Sequence, residues 1–555
     1  MQLLLHRSPL KSSHTGMEVF SVSCILIFAA LIRIPSLPQP LGPDQGIMSV
    51  IGAGILKGQL PYKDYWEMGS PAIFYTYALM FKIFGLRMIA IPITDTIISM
   101  LTTLLVFILA RSVWDKRVGY ISALLFAFFS NGVGLGMHAG GDIAFGTFWY
   151  LAQRETFMLP LTVGAVYFML TSMKRPHSFI RIFISAFLLG GAFVYKFPAL
   201  IIALCLFLYL NTYLVRCPDH KTLKSLGLGN LAFLAGFILP AAAFALLFVV
   251  NGAFYDMTDV IIKYVFSVYG SSVSISCLPI IKMGLVHTLF LAKENFILWI
   301  FFIASSTYMI ITDRTKENLL IVLWALASVL FVVSHREFFG YHYLMLLPPF
   351  CLLSAYGISR ALSPVRGLGT AFTEEPGKAF ILLAIFVNLA FFVTLNYTNY
   401  TKFWYYVTGR ISLQKYYSFF TAYPKHDFSF PADYEVAQYI SGHSDVNDMI
   451  YVIGGTESVI YFLSKRKSPS RFIFSWILFS PGSHGRAEQT QRYRTELLHD
   501  LSQKTPKYIV TIRPLDTFKQ FPDIYCFLKS NYTFQKEFPD DRFLYAYGKN
   551  RYSDI

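Results

Sequence analysis

Eleven apolar runs recur along the chain at lengths matched to a bilayer, and this spacing leaves few folds open. A spanning helix needs about 20 apolar residues. Runs of this kind occupy about 17–35, 86–110, 117–131, 151–173, 179–195, 197–215, 226–250, 295–312, 317–334, 343–360 and 379–397. Inside hydrocarbon every backbone donor and acceptor must be satisfied locally, so continuous runs like these predict helices. Segment 71–85 is apolar but short and carries Lys82; it is expected to lie at the interface or to re-enter. Only 14% of the residues are charged, against about 25% in soluble domains. The fold class is therefore a polytopic α-helical membrane protein.

Lysine and arginine in short loops set the orientation. Arg7 and Lys11 precede the first run, and Arg111, Lys116 and Arg117 follow the second. Basic clusters recur at Lys174, Arg175 and Arg181, at Arg216, Lys221 and Lys224, at Arg314 and Lys316, and at Arg360, Arg366 and Lys378. Every second loop is basic, which puts those loops and the N-terminus in the cytoplasm. The opposite face receives 36–85, 132–150, 251–294, 335–342 and everything after about 397. The net charge of +15 follows from this topology and calls for no nucleic-acid partner. The first run ends Arg33-Ile34-Pro35 without a small-residue cleavage site, so it reads as a retained anchor. The six cysteines are scattered and form neither a disulfide framework nor a metal knuckle.

From about 424 the pattern changes. "DMIYVIGG", "KYIVTI" and "FLYAYG" read as strands, and "ADYEVAQYISGH", "ESVIYFLS", "RTELLHDLSQK" and "FPDIYCFLKSNY" have helical spacing. Alternation of this kind predicts a small soluble α/β domain. The expected division is a transmembrane domain over 1–397, a linker over 398–423 and an external α/β domain over 424–555.

The polar stretch "GPDQGIMSVIGAGILKGQLPYKDYWEMGSP" (42–71) interrupts the apolar pattern. Helical spacing starts at "PDQG", where Asp44 could cap the helix. "QLPYKDYWE" reads as an extended link, and Pro71 opens the next helix. Tyr62, Tyr65 and Trp66 could stack on a sugar or sit in the headgroup belt, and the glycines could let backbone approach a sugar. The order Asp44, "AGILKGQLPYKDYWE", Pro71 and "FGLR" resembles the first external loop of the GT-C glycosyltransferases. It is most similar to the bacterial branch of dolichyl-phosphate-mannose–protein mannosyltransferase-like enzymes with the RgtA/B/C/D-like domain. "QRETFMLPLTVGAVYF" (153–168), "GGAFVYKFPAL" (190–200) and "HREFFGYHYLMLLPP" (335–349) extend the likeness, as do "EVAQYISGH", "IYFLSKRKSPSRF" and "PKYIVTI" near the C-terminus.

The resemblance implies transfer of a sugar, with inversion, from a polyprenyl-phosphate carrier to a glycan, lipid or protein acceptor. The reaction is expected on the non-cytoplasmic face, in a bacterial plasma membrane with the C-terminal domain outside. Asp44 matches the loop carboxylate taken as general base. Glu155 matches a second acidic position that could orient Asp44 or bind acceptor; its other reading is a charge favoured by a helix N-terminus and paired with Arg154. Arg336 and His342 lead a candidate phosphate clamp with His335, Tyr341 and Tyr343, which as a group could equally be an interfacial anchor. Lys63 and Asp64 are assigned to substrate binding, with a turn or a mutual pair as the alternative for Asp64; Glu67 is a further carboxylate in the loop. Lys196 reads as a turn residue that snorkels.

No cofactor is required on this reading. For a divalent metal the sequence offers only His138 and Asp142, short of three ligands. Asp95, inside an apolar run, is a functional suspect by position, or a partner of Arg87 or of a neighbouring helix. Two positions depart from the family pattern. Gln45 replaces a second acid, and Met68-Gly69-Ser70 lacks a lysine before Pro71, whose role Lys63 or Arg336 would have to fill. These departures keep a catalytically degenerate member open. A transporter or lipid flippase is the rival from another class, against which stand the nearly charge-free helix centres and the absence of an internal repeat.

Overall fold

The computed structural model describes residues 12–130, 151–174, 178–216, 223–269, 277–336, 338–363, 376–420, 428–454, 457–479 and 488–548. Each of the eleven predicted runs is helical. In chain order the helices of the membrane region are α1 (Ser12–Leu31), α2 (Pro43–Ile55), α3 (Ala72–Phe84), α4 (Ala90–Val113), α5 (Lys116–Phe129), α6 (Arg154–Met173), α7 (Phe179–Tyr195), α8 (Ala199–Arg216), α9 (Leu223–Val250), α10 (Phe254–Thr258), α11 (Cys277–Glu294), α12 (Phe296–Ile311), α13 (Lys316–Ser334), α14 (Leu347–Ala361) and α15 (Pro376–Val407). A π-helical stretch covers Asp259–Tyr269, and a 3₁₀ turn, Gly340–Leu346, leads into α14. Among the described residues six helices are long and apolar enough to cross a membrane, and a seventh span results if α11 and α12, bent by 107°, are taken together. The chain is a multi-pass membrane protein.

Local sequence explains the boundaries. Asp115 caps α5 by accepting hydrogen bonds from the Arg117 and Val118 amides, and Thr315 caps α13 through the Asn318 amide. Gly85, at φ 80°, ends α3 in a conformation that strains other residues. Within the bundle α7 and α9 pack backbone to backbone. A Cβ at Gly190 would lie 2.2 Å from the Phe237 carbonyl oxygen, and one at Gly236 would lie 2.4 Å from that of Phe183. Small residues allow such approaches where helices gain by close packing.

The C-terminal part contains α16 (Leu413–Tyr417), α17 (Phe430–His443), β1 (Ile450–Ile453), α18 (Val459–Ser464), α19 (Glu488–Gln503), β2 (Tyr508–Thr511), α20 (Pro522–Asn531), β3 (Tyr532–Phe538) and β4 (Arg542–Tyr547). The sheet order is β1-β2-β4-β3. β1 and β2 are parallel, with Ile450 opposite Tyr508, and β4 runs antiparallel to both β2 and β3. The parallel pair requires a crossover, which α18 and α19 supply. The sequence reading has no strand at β3; its exposed middle residues present no apolar alternation.

One hydrophobic core runs through the 42–71 stretch, α3 and the C-terminal sheet together. Trp66 is buried with ring centroids 5.0 Å from Tyr264, 5.6 Å from Tyr493 and 6.2 Å from Phe472. Its amide donates to the Arg471 carbonyl at 2.8 Å, and Arg471 donates to the Tyr62 carbonyl at 3.0 Å. Asp259 is bound by Arg492 at 2.6 Å and by the Tyr493 hydroxyl at 2.9 Å. These contacts correct two expectations. Tyr62 and Trp66 are core residues, not sugar platforms or belt. Two of the glycines serve protein packing: a Cβ at Gly46 would stand 3.1 Å from that of Val459 in α18, and one at Gly52 2.8 Å from that of Tyr77 in α3. "QLPYKDYWE" is also not extended, since Tyr62 takes φ 68° and its amide donates to the Tyr65 carbonyl.

Candidate active site

Asp44 lies in the first turn of α2. Gly42, not Asp44, is the cap, and Pro43 follows it at the first helical position, where a missing amide hydrogen costs nothing. The helix N-terminus favours a carboxylate here. Gln45 is buried and donates from Nε2 to the Leu151 carbonyl at 2.9 Å. A carboxylate could not make that bond, which gives the departure at this position a structural reason.

Asp44 is half-buried, and its carboxylate is unengaged: it accepts no hydrogen bond and forms no ion pair with a described residue. Five other acids each face a cation. Glu67 faces Arg154 at 3.7 Å, Glu155 is paired with Lys196, Asp95 faces Arg33 at 3.8 Å, Asp256 faces Arg471 at 3.8 Å, and Asp259 holds Arg492. The charge of Asp44 is nevertheless felt at both Glu67 and Lys196.

Gly69 explains how Arg154 reaches this site. A Cβ there would sit 2.2 Å from the Arg154 Nη2, so only glycine lets the guanidinium lie across the backbone. Before Pro71, where the resemblance leads to the expectation of a lysine, the space is filled by an arginine from α6. The Gly69 amide donates to Glu67 Oε1 at 3.2 Å, and its carbonyl accepts from the Tyr62 hydroxyl at 2.8 Å.

Burial pushes the Glu67 carboxyl up to about 7, against the pull of Arg154 and with the help of the Asp44 charge. A folded-state pKa above the unfolded value gives stability that is complete below about 4.5 and lost as pH rises through about 7. Glu67→Gln is therefore expected to flatten the fall in melting temperature between pH 5 and pH 8. It should stabilise the protein at pH 8 by up to about 3 kcal/mol. Thermal unfolding in detergent at the two pH values checks this; a variant that loses stability equally at both would refute it.

Glu155, at the head of α6, connects this group to a second one. Its carboxylate binds Lys196, which leaves α7 in extended backbone, and lies 3.9 Å from His342 Nε2. The His342 and His335 rings are 4.0 Å apart, and Lys196 Nζ sits over the Tyr341 ring at 5.3 Å. Burial, which outweighs Glu155, lowers the Lys196 pKa. Burial and then Lys196 push His335 down to about 3, so it is neutral. One donor atom each from Glu155, His335 and His342 lies within 4.8 Å of the other two.

The structure thus brings Glu155, Tyr341 and His342 together around Lys196, and keeps other candidates apart. Lys63 and Asp64 line a separate cavity of about 610 Å³ between the 42–71 stretch and the C-terminal domain, with Lys465, Lys467 and Lys504. Asp64 accepts a hydrogen bond from the Leu60 amide at 2.7 Å, as a turn residue does. Arg336 is exposed, at φ 62°. Asp95 pairs with Arg33 rather than Arg87, and also accepts from the Ala152 amide at 2.8 Å and the Thr156 hydroxyl at 3.3 Å. His138 and Asp142 lie outside the described residues. Arg154 carries more of this site than its sequence reading as a partner of Glu155 suggested; no sequence signal connects it with Glu67.

Comparisons with known proteins bear on the fold. Residues 69–248 match the family model of dolichyl-phosphate-mannose-protein mannosyltransferase. ArnT from Cupriavidus metallidurans bound to undecaprenyl phosphate superposes with a TM-score of 0.56 at 14% identity, covering 96% of this chain and 98% of that one. At this identity the likeness is one of fold. Archaeoglobus fulgidus AglB in complex with an inhibitory peptide and a dolichol-phosphate gives 0.54 at 14% identity, over 98% of this chain and 75% of that one. The Archaeoglobus fulgidus oligosaccharyltransferase complex with Zn and sulfate gives 0.53 at 16%, over 94% and 73%. No curated protein matches the sequence.

Proposed function

We propose that this GT-C protein is a glycosyltransferase that moves a sugar from a polyprenyl-phosphate carrier to a hydroxyl acceptor with inversion, and that Asp44 is the general base. The observation that carries this reading is the unengaged carboxylate of Asp44, whereas Glu67, Glu155 and Asp95 each face a cation. A base must have a free lone pair within reach of the proton it takes. In the step, Asp44 accepts the acceptor hydroxyl's proton as its oxygen bonds to the anomeric carbon. The bond from that carbon to the phosphate oxygen breaks, and the polyprenyl phosphate leaves as an anion.

The leaving group needs fixed positive charge and donors more than an acid. Arg154, laid across Gly69, and Lys196, held by Glu155 against Tyr341, are the cations of this network. They take over the phosphate role expected of Arg336 and His342. The reaction is placed on the non-cytoplasmic face, with the C-terminal domain on the same side. The transport alternative loses support because Asp95 is held by three groups and the void beside it is only about 20 Å³, room for about one water.

Transfer from polyprenyl-phosphate sugars by purified protein in nanodiscs tests the assignment of the cations. Arg154→Gln and Lys196→Met are each expected to weaken carrier use by about 10- to 100-fold, since a bond to a charged group is worth about 1.5–3 kcal/mol. Binding of sugar-free polyprenyl phosphate should weaken in parallel. Variants that fold normally and bind the carrier as tightly as the parent would remove both residues from the phosphate site.

A further inference from the structure

Behind the cations, one potential ligand atom each from Glu155, His335 and His342 lies within 4.8 Å of the other two. His335 Nδ1 lies 2.7 Å from the Phe331 carbonyl oxygen. A carbonyl only accepts, so Nδ1 carries the proton and Nε2 is a bare lone pair. Nε2 is buried and, like the other unpartnered atoms of this group, has no hydrogen-bond partner among the described residues. His342 is 2% exposed; its Nδ1 has no partner, and its Nε2 is 3.9 Å from Glu155, beyond hydrogen-bond reach. Glu155 is fully buried; Lys196 occupies Oε1, and Oε2 has no partner.

Leaving buried polar atoms unpaired costs about 1–3 kcal/mol each, so this arrangement asks for an occupant. A divalent cation satisfies all three at once. We propose that Glu155, His335 and His342 form a binding site for a zinc-class divalent ion.

The donor chemistry selects the metal. Two imidazoles and one carboxylate suit zinc and its late first-row neighbours, whereas magnesium and calcium take oxygen ligands. Three protein ligands are the set that leaves a fourth tetrahedral position to water or an anionic oxygen. The His335–carbonyl bond is the outer contact that fixes the tautomer of a metal-bound histidine. The ligand atoms, within 4.8 Å of one another, must draw in by about an ångström to reach the bond length of about 2 Å, a side-chain adjustment. Lys196 is the opposing feature, because its charge shares Glu155. The Tyr341 face gives its ammonium another partner. The site does not include Asp44 and is independent of the role proposed for it.

The test uses full-length protein, purified through a tag without histidine, stripped with chelator and returned to nanodiscs. One equivalent of zinc is expected to bind. Cobalt in its place should give the strong visible bands of a tetrahedral centre in the unaltered chain, which makes the outcome independent of how variants fold. His335→Ala, His342→Ala and Glu155→Gln should each weaken zinc binding at least about tenfold. Lys196→Met, which frees the carboxylate, should tighten it. Absence of stoichiometric zinc in the parent, or histidine variants that bind zinc as tightly as the parent, would overturn the proposal. Because no donor or acceptor sugar enters the measurement, this result and the fate of Asp44 are read separately.

Discussion

Asp44→Asn is expected to lower sugar transfer by about 10²- to 10⁴-fold, the contribution typical of a positioned general base. The substitution keeps the shape of the side chain and the helix cap at Gly42, so α2 should stand where it does now. No hydrogen bond to a described residue is lost, since the carboxylate accepts none. What changes is the capacity to take a proton. The variant should therefore bind polyprenyl phosphate as the parent does and fail only in transfer. Removing one negative charge near Lys196 and Glu67 should, if anything, ease ionisation of Glu67, whose pKa Asp44 raises. Glu155→Gln provides the contrast. It breaks the pair with Lys196 and should disturb carrier binding as well as rate. If Asp44→Asn inserts and folds normally yet transfers sugar at the parent rate, the base lies elsewhere.

What could be read from the sequence divides along a physical line. The bundle was legible because a membrane imposes a length and a composition on each span locally; the run at 226–250, for example, needs no knowledge of its neighbours to be read as α9. The C-terminal strands β1, β2 and β4 were legible for a similar reason, being short β-branched and aromatic runs. β3 was not, because its middle residues face solvent and carry no apolar alternation. The site was only partly legible, since its pairs are tertiary. Glu155 and Lys196 are 41 residues apart, and nothing in either segment names the other; Lys196 read as a turn residue, and its position at the end of α7 agrees, but its ammonium is bound. Lys63 and Asp64 were grouped with Asp44 by adjacency in the chain, yet the turn at Tyr62 carries them to a different cavity. Gly69 looked like a lost lysine, whereas its missing side chain is what admits Arg154.

The second large effect is expected far from Asp44, at Arg542. This residue opens β4 and is sealed from solvent. It donates to Asp433 at 2.9 Å, to the Asp540 carbonyl at 2.8 Å and to Glu457 at 3.4 Å, and neither carboxylate is exposed. Burial pushes Asp433 up to about 7 even with Arg542 beside it. Arg542→Met would leave two acids facing each other without a cation, which costs about 3–5 kcal/mol in comparable buried sites. The consequence reaches the membrane. Asp433 heads α17 and Glu457 precedes α18, and α18 packs through Val459 directly against Gly46, two residues from Asp44. Loosening α18 should release the start of α2, so transfer activity should fall together with protease resistance of the C-terminal domain. The triple change Arg542→Met, Asp433→Leu and Glu457→Met removes the charges together; replacing a whole buried ion cluster by apolar groups is often neutral or stabilising, so it should restore both readouts. Recovery of stability without recovery of activity would mean that the C-terminal domain contributes more to the reaction than support for α2.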